Sequence, residues 1–168
     1  MTIADIASLI VALATTGSLL YISRQVNVAR QQAKGQFLLA LDAQFEKFNN
    51  MTVRLVNEKE FTPDGKDWYE VWGLMSVFER INIMSEDKIL DIGLVDRLHG
   101  FRLRSIIRNE SIYQRLGATG SEWQDFIDLC YAVADYYEQQ TEPAHHKTFI
   151  ERVRKLNKTS YKDDPFRF

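Results

Sequence analysis

The chain has 168 residues, enough for one ordinary domain and too few for two comfortable ones. Apolar residues make up 45% of it and charged residues 26%, which excludes a disordered chain and a polytopic membrane protein. A net charge of −2 excludes a globally basic nucleic-acid-binding domain, and the single cysteine, Cys130, excludes a disulfide framework and a cysteine-built zinc cluster.

Eight Gly and three Pro are few chain breakers for this length, so the expectation is an all-α protein of long helices. The first 23 residues hold no Lys or Arg and one acid, Asp5. Residues 6–22 are 17 uncharged residues in a row, and counting from Ile3 the apolar stretch is 20. At about 1.5 Å per residue such a helix matches a hydrocarbon core of about 30 Å. Tyr21 stands at its edge, where aromatic side chains favour the interface. Arg24, Arg30 and Lys34 follow with no acid before Asp42, so the positive-inside rule places the N-terminus outside and the remaining chain in the cytoplasm. The expected organisation is a transmembrane anchor over 1–23, a basic juxtamembrane stalk over 24–36, a helical bundle over 37–158 and a polar tail over 159–168. A cleaved signal peptide would want basic residues before the apolar run. A buried helix of a soluble protein competes, because Ser8, Thr15, Thr16, Gly17 and Ser18 dilute the run. Ser8, Ala12 and Thr16 share one face, which would allow close helix packing within a bilayer.

Beyond the anchor, Leu38, Leu41, Phe45, Phe48 and Leu55 form one helical stripe, predicting a helix continuous to about Asn57 with a kink near Gly35. Pro63-Asp64-Gly65 is a turn, and Asp67 is placed to cap a second helix that buries Trp68, Val71, Trp72, Met75, Phe78 and Ile81. A third helix, from about Asp91 to Arg108, turns Leu94, Val95, Leu98, Phe101 and Ile106 inward. Ser111 would cap a short helix to Leu116, and Ser121 a longer one to about Gln140 that buries Trp123, Phe126, Ile127, Cys130 and Val133. Pro143 stops that pattern, and a last helix covers about His146 to Leu156. The expected bundle thus has four to five helices after the first long one.

Chemistry is sparse. His145 and His146 follow Pro143 in a turn and are read as solvated; His99 is read as a surface or capping residue. Cys130 lies on an apolar stripe with acidic neighbours, the wrong setting for a nucleophile. There is no Gly-rich phosphate loop and no metal-ligating spacing, so no catalytic residue, cofactor or metal is assigned. Two places merit a function. Glu79 sits beside a buried face as a potential buried carboxylate, with a salt bridge to an arginine of the third helix as the plainer reading. Arg97, Arg104 and Arg108 fall within about 40° on the third helix and form a candidate face for an anion or an acidic partner. Residues 121–142 carry six acids and no Lys or Arg, so internal pairing of that arginine face is the competing reading.

The layout as a whole supplies a resemblance. An N-terminal span precedes Phe45-Glu46-Lys47-Phe48-Asn49-Asn50-Met51, then Phe78-Glu79-Arg80-Ile81, then Leu94 and Leu98 among arginines, then Trp123-Gln124-Asp125-Phe126. This resembles a bacterial family of small membrane-anchored helical proteins of unknown function. The resemblance implies an anchor and a cytosolic helical domain, and assigns no residue a role. The expected function is a membrane-anchored scaffold or accessory protein at the inner membrane. Its partners would be the bilayer, through residues 6–22, and a protein or a second copy of itself, with no nucleic acid. The alternatives are a membrane-active defence or toxin-type effector, and an enzyme acting on a phosphorylated or lipid substrate through Glu79 and the arginine face.

Overall fold

The structure is a computed structural model that describes residues 3–57, 61–118, 120–140 and 143–156; the side chains of residues 1–14 lie outside that description. Every regular element among the described residues is helical. The order is α1 (Ile3–Lys47), α2 (Asn49–Asn57), α3 (Gly65–Glu86), α4 (Ile92–Arg108), α5 (Glu110–Ala118), α6 (Gln124–Glu138) and α7 (Lys147–Lys155). Short 3-10 turns at Gly120–Trp123 and Pro143–His146 lead into α6 and α7. Six α-helices therefore follow α1, more than the four to five expected. The expected tail, 159–168, lies outside the described residues.

The chain divides into two compact units, Met1–Ala40 and Leu41–Phe168. The first is helical from Ile3 onward, and its described side chains are mostly exposed. All side chains from residue 15 to 33 are exposed, and Leu19, Leu20, Tyr21 and Ile22 are each more than half exposed. Four consecutive residues go once around an α-helix, so this stretch is apolar on every side. Among the described residues no helix is long and apolar enough to cross a membrane. Nine of the 17 residues of the 6–22 run have side chains outside the description, so the expected span falls largely outside it.

The second unit is a helical bundle. The helix that enters it does not continue to Asn57; it breaks at Phe48, between α1 and α2. The Phe48 N–H donates to the Phe45 carbonyl at 3.0 Å, a tightened last turn, and the Thr52 hydroxyl donates to the Phe48 carbonyl at 3.0 Å. The Phe48 ring lies on Gly73 of α3, where a Cβ would collide with it. That close approach redirects the chain, a tertiary cause that helical periodicity does not register.

α3 and α6 form the centre. The Phe78 ring packs between Phe45, with centroids 5.1 Å apart, and Phe126, at 6.0 Å. Leu74, Ile81, Leu103, Ile106, Cys130 and Val133 close the core around them. α4 is rotated relative to expectation. Val95 and Ile106 are buried, Leu94 is half-buried, and Leu98 and Phe101 are 40% and 46% exposed. The buried stripe is Val95, His99, Leu103, Ile106 and Ile107. His99, at 2% exposure, occupies the place that an apolar residue would take, which corrects its surface reading. Phe101 is partly covered by the Arg102 guanidinium, 4.6 Å from its ring centroid.

The caps also shift. Asp91 caps α4 as its position suggests, accepting from the Leu94 N–H at 3.1 Å. The residue before α3 is Asp64, while Asp67 accepts from Arg54 of α2 at 2.7 Å. Asn109, not Ser111, starts α5: its Oδ1 accepts from the Ile112 N–H at 3.0 Å and its Nδ2 donates to the buried Phe61 carbonyl at 2.7 Å. α6 is entered through a 3-10 turn ending at Trp123 rather than through a serine cap.

Candidate functional site: a polar cleft beside α4

Asp96, Gly100 and Arg104 lie one above another on α4, at i, i+4 and i+8. Gly100 is buried beneath the side chains of the other two, and a Cβ there would collide with Asp96 Oδ1. Over that glycine Arg104 Nη1 donates to Asp96 Oδ1 at 2.7 Å. The same carboxylate oxygen accepts the hydroxyl of Tyr137 from α6, and the Tyr137 oxygen in turn accepts from Arg104 Nη1. The three groups therefore satisfy one another. Burial and the hydrogen bond to Asp96 push the Tyr137 pKa up, so the phenol stays protonated as the donor this closed set requires.

This cluster forms part of the wall of a cleft of about 490 Å³. α4 contributes Asp96 and Arg97; the C-terminal end of α6 contributes Tyr136 and Tyr137, with Gln140 just beyond it. His145 and His146 complete it from the 3-10 turn before α7. The His146 ring lies flat on Tyr137, centroids 3.7 Å apart and planes 7° apart. His146 is thus half-buried rather than solvated, while His145 is exposed. Burial lowers the His146 pKa, and the Arg104 charge lowers it further. Its Nδ1 is buried with no hydrogen-bond partner among the described residues.

The three arginines read as one face have three different environments. Arg104 is spent inside the Asp96–Tyr137 set. Arg97 is exposed on the cleft, and Arg108 is exposed three turns further along α4. Among the described residues neither Arg97 nor Arg108 has an ion-pair partner. The acidic helix is served instead by Arg154 of α7, which bonds both Asp135 and Glu138. α4 and α6 do lie side by side, and among the described residues the Tyr137 set joins them at the cleft.

Glu79 is half-buried on α3 and stands apart from the cleft. Burial, then the neighbouring Asp125 carboxylate, push its pKa up; the Ser76 hydrogen bond and the Arg80 charge oppose them. The expected bridge from Glu79 to an α4 arginine is not formed among the described residues. Arg80, beside it, donates to Gln44 at 2.9 Å.

Two further features do not open a site. Trp68, Trp72 and Trp123 converge, and Arg115 fills the group by lying 4.3 Å from the Trp68 ring centroid and 5.5 Å from that of Trp72. Cys130 is fully buried, and burial pushes its thiol well above the usual range, which suits packing rather than nucleophilic attack. Among the described residues no cluster of three or more His, Cys, Asp or Glu is placed to hold a metal ion.

Tyr136, Tyr137 and Gln140 carried no recognisable motif in the sequence. The Asp96-x-x-x-Gly100-x-x-x-Arg104 spacing was a legible signal, since a glycine midway between opposite charges lets the two side chains meet over it. No family model matches the chain, and no curated protein or solved structure is significantly similar to it.

Proposed function

We propose that the protein is a membrane-anchored interaction module: a single span at residues 6–22, N-terminus outside, holding a cytosolic helical bundle at a bacterial inner membrane. The observation that carries this reading is the all-round exposure of Leu19, Leu20, Tyr21 and Ile22 in the first unit. A helix that is apolar on every side needs a cover, and a bilayer is the cover that matches its length. The basic residues Arg24, Arg30 and Lys34 give the orientation. The bundle supports the interaction half of the reading. Leu98 and Phe101 are exposed on the outer side of α4, between Arg97 and Arg108, which are exposed too. A mixed apolar and arginine surface is the composition found at protein interfaces, so the partner is a protein or a second copy of the chain.

Topology labelling tests the proposal. Cys130 is buried and its thiol is protonated, so single cysteines placed at Thr2 and Gln32 report without background. In intact spheroplasts a membrane-impermeant maleimide is expected to label Thr2→Cys and to spare Gln32→Cys until the membrane is permeabilised. Equal labelling of both in intact cells, or recovery of the protein away from membranes, contradicts the proposal.

A further inference from the structure

We propose that the cleft between α4, the end of α6 and the turn before α7 binds a small organic anion through a phosphate or carboxylate group. The charge balance of the wall points to an anion. Asp96 is the one acid lining the cleft among the described residues, and Arg104 neutralises it while Tyr137 hydrogen-bonds it. That leaves Arg97 as an uncompensated positive charge facing the cavity, with a planar fork of donors suited to two oxygens of one oxyanion.

The remaining lining groups are able to hydrogen-bond. Gln140 and the Tyr136 phenol supply donors at the rim and wall. His146 lines the cleft and is held flat against Tyr137, so its ring is fixed in the wall. The cavity, about 490 Å³, is far larger than a bare phosphate needs and falls within the range of small-molecule sites. The ligand is therefore an oxyanion carried on a small organic body. This inference is independent of the anchor, because all the residues it uses belong to the second unit.

The test uses the full chain in neutral detergent, with phenyl phosphate, benzoate and inorganic phosphate as probes. Binding is read by calorimetry and by the imidazole proton resonances of His145 and His146. Phenyl phosphate or benzoate is expected to bind saturably and to shift the His146 signals. Arg97→Gln is expected to weaken that binding by about tenfold or more, because a charge-assisted bidentate contact is lost. Its melting temperature stays unchanged, since Arg97 is exposed and has no ion-pair partner among the described residues. Arg108→Gln, on the same helix but outside the cleft, is expected to leave binding as it was. A separate arm presents phosphatidylglycerol vesicles; Arg97-dependent binding there alone upholds the oxyanion site and names a lipid headgroup as its source. Absence of binding by every probe up to about 10 mM overturns the proposal, as does equal weakening by Arg97→Gln and Arg108→Gln.

Discussion

At position 100 a single methyl group decides between two opposing effects. In an open helix Gly→Ala gains about 1 kcal/mol from backbone entropy. Here the added Cβ would enter the space where Asp96 and Arg104 meet, so the pair must separate and strand the Tyr137 hydroxyl. Gly100→Ala is expected to destabilise the bundle by about 1–3 kcal/mol, read by urea denaturation of the full chain. A more stable variant would show that the Asp96–Arg104 contact contributes little. His99 makes a second residue-scale prediction. Its burial, then the Arg102 charge, lower its pKa from 6.5 to about 4, against the opposing pull of Asp42, whose Oδ1 is 3.6 Å from Nε2. Between those two values the unfolded chain binds a proton that the folded chain does not. Stability is therefore full above about pH 6.5 and is lost as pH falls towards 4, with a slope of at most about 1.4 kcal/mol per pH unit. His99→Gln should flatten stability across that window; an unchanged slope would assign the acid sensitivity to another group.

At the scale of elements, the helices themselves were legible and their ends and faces were not. Most of the α3 and α6 stripes came from the sequence because Val71, Met75, Phe78, Ile127, Cys130 and Val133 keep a 3.6-residue period, but Trp68, Trp72 and Trp123, expected to be buried, are half-buried, and Trp123 precedes α6. α4 misled because two stripes compete on it, and the buried one contains a histidine while the exposed one contains Leu98 and Phe101. The break at Phe48 depends on Gly73, 25 residues away, and so is invisible to any local window. The cleft was half legible: Arg97, His145 and His146 were noticed separately, but only folding brings them to Tyr136 and Tyr137. Asn109 shows how one polar side chain joins elements, capping α5 while holding the chain at Phe61. Asn109→Ala removes both bonds and leaves a buried carbonyl unpaired. It is expected to cost about 2–4 kcal/mol, seen as a lower urea midpoint with the helix signal intact before unfolding. A loss below about 0.5 kcal/mol would mean that water takes over both bonds.

For the whole molecule, the two units obey opposite rules. The Leu41–Phe168 unit buries an aromatic centre around Phe78 and places ion pairs such as Arg154–Asp135 at its surface. In the Met1–Ala40 unit Leu19, Leu20, Tyr21 and Ile22 are exposed on all sides, and the basic residues Arg24, Arg30 and Lys34 follow them. The functional proposal assigns the first unit to lipid and the second to water, and anchoring is the claim on which it turns. Alkaline carbonate extraction of membranes containing the full chain tests it most directly. It should be run beside an Ala12→Lys, Thr16→Lys variant, whose two charges at the middle of the span each cost about 2.5–3.5 kcal/mol of insertion. The account predicts that the unaltered protein stays in the washed membrane pellet and the double variant is released. Release of both by carbonate would contradict it, and would make the 6–22 helix a surface for another protein rather than a span.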